Sequence, residues 1–311
     1  MKKSIMITIP ALLILGILIS GCVENVGGGT EEFVDDMGDT VMIVENPQRI
    51  ITLTPGLTEM MFYLGLGDRV VGCDSGSDYP PEVSKIERVH TYLGPDSEKI
   101  VSLSPDLILM DKGLDLFNYT YDALSSLNLP VYRIYPRSID DMLEIMLDLG
   151  EIMGVPEAAR EKVSLLEARI DAVEVSAASL PKDDAPEILH VNYYSTDSDP
   201  WVMTGSTISG DLIRKAGGKC AIDDSSGMAV QISVEVIVDD NPDIILTSQS
   251  AAWPTESRDL ILSENKFSDL DAVKNGLVRD ISGDIVDRGG PRMVEGLEEI
   301  HRIILERAGY E

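Results

Sequence analysis

The chain contains one stretch twice: Glu98-Lys-Ile-Val-Ser-Leu-Ser-Pro-Asp-Leu-Ile-Leu109, and again Glu235-Val-Ile-Val-Asp-Asp-Asn-Pro-Asp-Ile-Ile-Leu246. Seven of the twelve aligned positions are identical. In each copy a Glu opens a short helix, where its charge faces the positive end of the helix dipole. A Pro-Asp turn ends that helix, and the branched apolar run behind it is typical of a buried parallel strand. The repeat predicts two similar α/β lobes, and the alternative is chance similarity between two helix–turn–strand units.

The N-terminus has the pattern of a lipoprotein signal. Lys2-Lys3 precedes an apolar run, and Ile19-Ser-Gly-Cys22 ends that run with small residues. We therefore predict a signal peptide at residues 1–21 and a mature chain anchored by a lipid on Cys22 to the outer face of the cell membrane. The alternative is an uncleaved N-terminal membrane anchor. Residues 22–32, with three consecutive glycines, are predicted to form a flexible tether.

The order of the remaining elements indicates two lobes on either side of a long helix. Strand and helix patterns alternate over residues 33–154 and again over residues 182–311, which predicts mostly parallel sheets covered by helices. Between them, residues 155–181 carry apolar side chains at helical spacing, with no Gly or Pro from Glu157 to Leu180. Such a helix is roughly 37 Å long. We interpret it as a connecting strut, and an ordinary surface helix is the alternative.

A tight turn follows the first buried strand of the N-terminal lobe. That strand is predicted at Arg49–Leu53 and is followed by Thr54-Pro55-Gly56, with Leu57 starting the next helix. In open α/β sheets, ligands bind beside the carboxyl ends of the strands. The turn is therefore a candidate part of a ligand site.

Composition limits the chemistry that the chain can perform. The formal charge of −29 disfavours nucleic acid as a partner. The three histidines are far apart in sequence, and no hydrolase elbow, zinc-protease motif or P-loop is present, so we predict no metal site, no cofactor and no enzymatic activity. Cys73 and Cys220 are expected to be free, buried thiols, with a bridge between the lobes as the alternative. Asn118 opens a possible glycosylation sequon.

Several motifs together resemble one protein family, the solute-binding lipoproteins of ABC importers for metal chelates. The resemblance extends in order over residues 45–311 and includes the lipidation motif, both repeats, Arg49-Ile-Ile-Thr-Leu-Thr-Pro55 and Ser77-Asp-Tyr-Pro-Pro81. It implies two Rossmann-like α/β lobes joined by a single long α-helix, with the ligand cleft between the lobes. It also implies a permease and ATPase complex as the partner and a monomeric receptor whose lobes move by only a few degrees.

The resemblance gives the repeated Glu a role. In this family one surface Glu of each lobe docks into Arg-rich pockets on the permease, and Glu98 and Glu235 fall at those positions. The alternative is that each Glu only complements its own helix dipole.

The resemblance is closest to the cobalamin-binding member and implies a set of cleft residues. Asp284 and Arg288 match cleft positions of that member, whereas Gly76, Asp111 and Ala229 fall where three aromatics are expected. Arg292 opposes the dipole of the last helix, which suggests a ligand anion or a buried acid beside it. The predicted ligand residues are Thr54, Pro55, Gly56, Tyr92, Asp111, Trp201, Asp284, Arg288 and Arg292, with Trp253, Tyr193 and Tyr194 as further aromatic candidates.

These observations favour capture of cobalamin, another corrinoid or a ferric siderophore for an ABC importer. A haem receptor of the same class is one alternative. Haem is a flat macrocycle that binds to aromatic faces, and three of the aromatics expected for cobalamin are absent from the matching positions. A sensor or an enzyme on the same two-lobed scaffold is the other.

Overall fold

A computed structural model describes residues 29–91, 93–114, 119–181, 184–224, 226–249 and 256–310. It contains two α/β lobes, each built on one six-stranded sheet, and the expected fold class is confirmed. No helix within these residues is long and apolar enough to cross a membrane.

The N-terminal lobe begins with an antiparallel hairpin and continues into a mainly parallel sheet. The hairpin pairs β1 (Thr30–Val34) with β2 (Thr40–Val44). The strand order of the sheet is β6-β5-β4-β3-β7-β8, and β6 alone is antiparallel to its neighbour. The strands and helices are β3 (Ile50–Thr52), α1 (Pro55–Tyr63), β4 (Val70–Asp74), β5 (Glu87–Thr91), β6 (Gly94–Pro95), α2 (Ser97–Ser102), β7 (Leu107–Asp111), α3 (Tyr119–Ser125), β8 (Val131–Ile134) and α4 (Ile139–Ile152).

The C-terminal lobe follows the same plan. Its main strand order is β12-β10-β9-β13-β14, and β11 pairs with β9. The elements are β9 (Glu187–Ser195), β10 (Ser198–Met203), α6 (Ile208–Lys215), β11 (Lys219–Cys220), β12 (Val230–Gln231), α7 (Val234–Asp240), β13 (Ile244–Gln249), α8 (Ser257–Ser263), α9 (Asp271–Lys274), β14 (Val278–Ser282), α10 (Gly283–Val286) and α11 (Met293–Ala308).

The two repeats occupy equivalent places in the two sheets. The first repeat forms α2 and β7, and β7 lies parallel between β3 and β8. The second forms α7 and β13, and β13 lies parallel between β9 and β14. The prediction of two similar lobes is therefore confirmed.

The Pro-Asp turn makes the same kind of contacts in both lobes. Ser104 and Asn241 each adopt a left-handed backbone conformation before the proline, which ends the helix. The Asp106 carboxylate accepts hydrogen bonds from the backbone amides of Gln48 (2.7 Å) and Arg49 (2.9 Å). Asp243 accepts one from the amide of Glu187 at 2.9 Å. Each aspartate thus fastens its repeat to the start of the neighbouring strand.

One long helix, α5 (Pro156–Ala178), connects the lobes. The buried positions on it include the predicted periodic residues Val163, Leu166, Ile170 and Val173. They join a hydrophobic core that contains residues from both lobes, such as Leu57 and Leu297. The helix is therefore packed into both lobes. The domain limits 33–154, 155–181 and 182–311 stay predictions.

Three local expectations were wrong. The tether cannot extend to residue 32, because Thr30–Val34 is a strand. It pairs with β2, and Ile43 of β2 is completely buried. Pro55 begins α1, which had been expected to start at Leu57, because proline suits the first helical position and the Thr54 hydroxyl accepts a hydrogen bond from the Leu57 amide at 3.4 Å. The last helix, expected to include Arg292 in its first turn, begins one residue later, at Met293, with Arg292 as the residue that precedes it.

We expect Asp106→Ala to lower the free energy of unfolding by about 1–3 kcal/mol, because two backbone amides lose their charged acceptor. Urea denaturation measures this loss. Asp240→Ala, an exposed aspartate at the end of α7, is the matched control and should change stability little. Equal stability of Asp106→Ala and the unaltered protein would contradict the proposed fastening role.

Candidate ligand cleft and docking carboxylates

A buried ion pair joins the two lobes. The Arg292 guanidinium, in the segment before α11, donates to the Glu59 carboxylate of α1 at 2.9 Å from Nε and 2.5 Å from Nη2. The Glu59 side chain is 3% exposed and that of Arg292 is 18% exposed. The Tyr79 ring lies against the guanidinium, with the Arg292 carbon Cζ 4.0 Å from the ring centroid. We call Glu59, Tyr79 and Arg292 the interlobe clasp.

Because the clasp is buried, each of its two charged groups needs the other to stabilise it. Burial raises the pKa of Glu59, while the hydrogen bonds from Arg292 oppose that rise. Those hydrogen bonds also raise the pKa of Arg292. A buried charge without its partner is strongly destabilising, so the clasp favours one relative placement of the lobes.

A second ionic contact crosses between the lobes. Arg288 Nη1 lies 2.6 Å from Asp78 Oδ1 of the N-terminal lobe, and Arg288 Nη2 lies 2.6 Å from Asp284 Oδ1 of its own lobe. Beside it the two backbones meet: a Cβ added to Gly56 would lie 2.1 Å from the carbonyl oxygen of Arg288. The position therefore requires glycine, and the predicted ligand residue Gly56 contacts the opposite lobe directly.

A chain of buried hydroxyl groups supports the loop that carries Asp78 and Tyr79. The Thr58 hydroxyl lies 2.7 Å from that of Thr52 and 2.8 Å from that of Ser77. Ser77 in turn donates to the Asp74 carboxylate. This network connects α1 and two strands to the start of the loop. It therefore holds in place the backbone that carries Asp78 and Tyr79 toward the C-terminal lobe.

A cavity of about 470 Å³ opens beside the clasp. Leu166 and Arg169 of α5 and the C-terminal half of α1 contribute to its wall. Among the predicted ligand residues that the structure describes, Arg292 alone lines it. The cavity is therefore separate from the cleft that the resemblance implies. Of the two partners suggested for Arg292, a ligand anion or a buried acid, the structure shows a buried acid, Glu59.

On the N-terminal side, the predicted ligand residues differ in how available they are. Thr54 is buried and caps α1. Asp111 lies at the carboxyl end of β7, and its carboxylate accepts a hydrogen bond from the Gly113 amide at 2.7 Å. Burial raises the pKa of Asp111 to about 7, and nearby Asp36 adds to the rise. Tyr92 lies outside the described residues.

On the C-terminal side, two aromatics form an exposed pair across neighbouring strands. Trp201 of β10 is opposite Tyr193 of β9, and their exposed fractions are 42% and 46%. Tyr194 is not available to a ligand, because it is buried in the core with its ring edge against Phe267 and its hydroxyl 2.5 Å from Glu264. Trp253 lies outside the described residues.

A buried polar chain lies next to Asp284 and Arg288. His190 Nε2 is 2.7 Å from Ser248 Oγ, which donates to Asp287 Oδ2 at 2.9 Å. Burial lowers the pKa of His190 and raises the pKa of Asp287. Sequence reasoning missed this chain because its members are far apart in the sequence.

Both predicted docking carboxylates are exposed in the first turn of their helices. Within the described parts of the chain, no Lys, Arg or His lies within ion-pair distance of Glu98 or Glu235, so a partner can reach both. The pKa of Glu235 is lowered by hydrogen bonds from its own backbone amide and from the Ser233 hydroxyl. These hydrogen bonds favour the charged form of the Glu235 carboxylate.

The remaining predicted residues have separate outcomes. Cys73 and Cys220 are free, as expected, but only Cys73 is fully buried. Cys22 and Asn118 lie outside the described residues, so lipidation and glycosylation stay predictions.

Comparison with known proteins identifies the class. Residues 50–284 match the periplasmic binding protein family, and the chain belongs to that family. The ABC transporter substrate-binding lipoprotein YvrC of Bacillus subtilis strain 168 is 30% identical over 306 residues, covering 93% of this chain and 94% of the relative. A vitamin B12-binding protein of Vibrio parahaemolyticus is 24% identical over 263 residues, covering 83% and 90%. The crystal structure of a possible iron-binding periplasmic solute-binding protein from Staphylococcus epidermidis is 27% identical, with a TM-score of 0.70, and covers 84% of this chain and 99% of that one.

Removing either charge of the clasp should destabilise the protein. We expect Glu59→Gln and Arg292→Gln each to lower the free energy of unfolding by about 3–5 kcal/mol, because each leaves a buried charge unpaired. The double variant should lose less than the sum of the two, which a double-mutant cycle with urea denaturation measures. Glu82→Gln, an exposed acid beside the same cavity, is the control. Additive effects of the two substitutions would contradict the pairing.

Stability should fall with rising pH because of Asp111. Its native pKa of about 7 lies above the ordinary value of 3.8, so between these values the native state holds the proton more firmly than the unfolded chain. We expect Asp111→Asn to be more stable than the unaltered protein at pH 8, by at most about 4 kcal/mol, with the gain vanishing near pH 4. Urea denaturation at several pH values tests this, with the exposed Asp239→Asn as control. A gain that is independent of pH would contradict the raised pKa.

Proposed function

We propose that the protein is an extracytoplasmic solute-binding lipoprotein that captures a metal chelate and delivers it to an ABC importer. The observation that carries this proposal is the pair of exposed carboxylates, Glu98 and Glu235, at equivalent positions on two lobes held together by α5 and the clasp. Two Arg-rich sites on a permease would recognise such a pair, since Arg–carboxylate contacts are strong and directional. In this proposal the chain acts by binding and not by catalysis.

The chelate is cobalamin, another corrinoid or a ferric siderophore, held between the carboxyl ends of the two sheets. The exposed pair of Trp201 and Tyr193 offers ring surface to a macrocycle or an aromatic chelator. Arg288 and Asp284 supply opposite charges at the line where the lobes meet. Asp111 supplies a carboxyl group where the resemblance implies an aromatic, so the ligand should be more polar on that side.

The proposal includes a lipid anchor and a monomeric receptor. A lipid on Cys22 keeps the receptor at the outer face of the membrane, and the first strand at Thr30 leaves only a short tether after the anchor. The receptor acts as a monomer, with the permease and ATPase complex as its partner.

Titration of the purified, ligand-free protein with cyanocobalamin, ferrichrome and haem tests the ligand class. We expect saturable quenching of tryptophan fluorescence by one of the first two, because Trp201 lies at the proposed cleft. Binding of haem alone would replace the chelate assignment with the haem alternative. Binding of none of the three would contradict the proposed function.

Docking is tested separately from capture. We expect Glu98→Ala with Glu235→Ala to reduce uptake of the bound chelate at least tenfold in cells that depend on this receptor, while its dissociation constant from the purified protein is unchanged. The control is Glu161→Ala with Glu167→Ala, which removes two exposed acids of α5 that lie outside both repeats and beyond the first turn of their helix. Normal uptake by the double Glu variant would favour a sensor that keeps the fold without transport.

A further inference from the structure

Each docking carboxylate has an exposed valine one helical turn away. Val101 follows Glu98 by three residues and is 51% exposed, and Val238 follows Glu235 by three residues and is 39% exposed. The two valines occupy the same position in the two repeats. The same pair, an exposed Glu followed by a partly exposed Val, thus recurs on the corresponding helix of each lobe, as expected of two equivalent contact surfaces.

Helix geometry places each valine on the same side as its carboxylate. Residues three apart in a helix are neighbours on one face. The residue between them that anchors the helix, Ile100 or Ile237, is 0% or 2% exposed and faces the core. Glu98 with Val101, and Glu235 with Val238, therefore form two matching outward patches, each with one charged and one apolar group. We call them the docking patches.

The position after each Glu differs between the two lobes. Lys99 is engaged by Glu87, with 3.1 Å between Lys99 Nζ and Glu87 Oε2. Its counterpart in the C-terminal lobe is Val236, which is 45% exposed. The residue after the Glu therefore differs in charge between the lobes, and α7 also carries two exposed acids, Asp239 and Asp240, where the first repeat has Ser102 and Leu103.

We propose that Val101 and Val238 are the apolar half of the contact with the permease. This inference rests on the proposed function. The partner surface then has two similar sites, one for each lobe, and each combines a basic group with an apolar group that covers the valine. Covering the valine excludes water from the neighbouring Arg–carboxylate contact, which strengthens that contact. The acidic surface of the chain as a whole suits a partner with basic sites, and the valines fix where on that surface the partner binds.

The test replaces the apolar surface and keeps its shape. Val101→Thr with Val238→Thr exchanges one methyl group for a hydroxyl in each patch, and both side chains remain β-branched. The matched control is Val175→Thr, at a valine of α5 that is 73% exposed and lies far from the repeats in the sequence. Each protein is purified, its thermal unfolding is recorded, and its affinity is measured for whichever of cyanocobalamin, ferrichrome and haem the unaltered protein binds. Uptake of that same compound is then measured in cells that depend on the receptor.

We expect the double Thr variant to lower uptake about tenfold, with unchanged unfolding temperature and ligand affinity, and the control to transport normally. Each single Thr variant should lower uptake by about threefold. Normal uptake by the double Thr variant, in cells where the double Glu variant fails, would overturn the role of the valines and leave the docking carboxylates in place. Normal uptake by both double variants would overturn the docking assignment itself.

Discussion

The buried pair of Glu59 and Arg292 is the constraint on which the rest of the arrangement depends. It joins α1 of one lobe to the start of α11 in the other, and Tyr79 covers the guanidinium. The Glu59 carboxylate lies out of water and the Arg292 guanidinium is mostly covered, so their separation would leave two poorly solvated, unpaired ions, and the lobes therefore favour one relative placement. The close approach of the Gly56 backbone to Arg288 has the same effect, because any side chain there would collide with the opposite lobe.

A fixed placement of the lobes also sets the distance between the two copies of the repeated stretch. In each copy the Pro-Asp turn and the buried isoleucine are scaffold, because they fasten the helix to the neighbouring strand and to the core. The Glu is exposed and the Val is partly exposed, so both present surface to a partner. A receptor that is recognised through two separate patches needs them at a constant separation, and the clasp together with α5 provides it. In the proposed docking, recognition by the permease therefore depends on the stability of the interface between the lobes.

The sequence predicted the parts of the structure that depend on neighbouring residues. Both lobes, the long helix and the equivalent positions of the repeats followed from periodicity, turn residues and internal similarity. The clasp did not, because Glu59 lies within an apolar helix of one lobe and its partner is far away in the sequence. An acid set between apolar residues, with Leu57 before it and Met60 after it, was the available signal. Tyr194 was proposed as a cleft candidate although it belongs to the core, because alternation along a strand does not say which face is covered by a helix.

The central claim is that the clasp sets one distance between the lobes. Pulsed electron paramagnetic resonance between two spin labels, attached at the exposed positions Ser84 and Ser263 with the two free cysteines replaced, measures that distance directly. The account predicts a single narrow distribution for the ligand-free protein and a broader one for Glu59→Gln. A broad or two-peaked distribution for the unaltered clasp, or an identical narrow one after its removal, would contradict the claim.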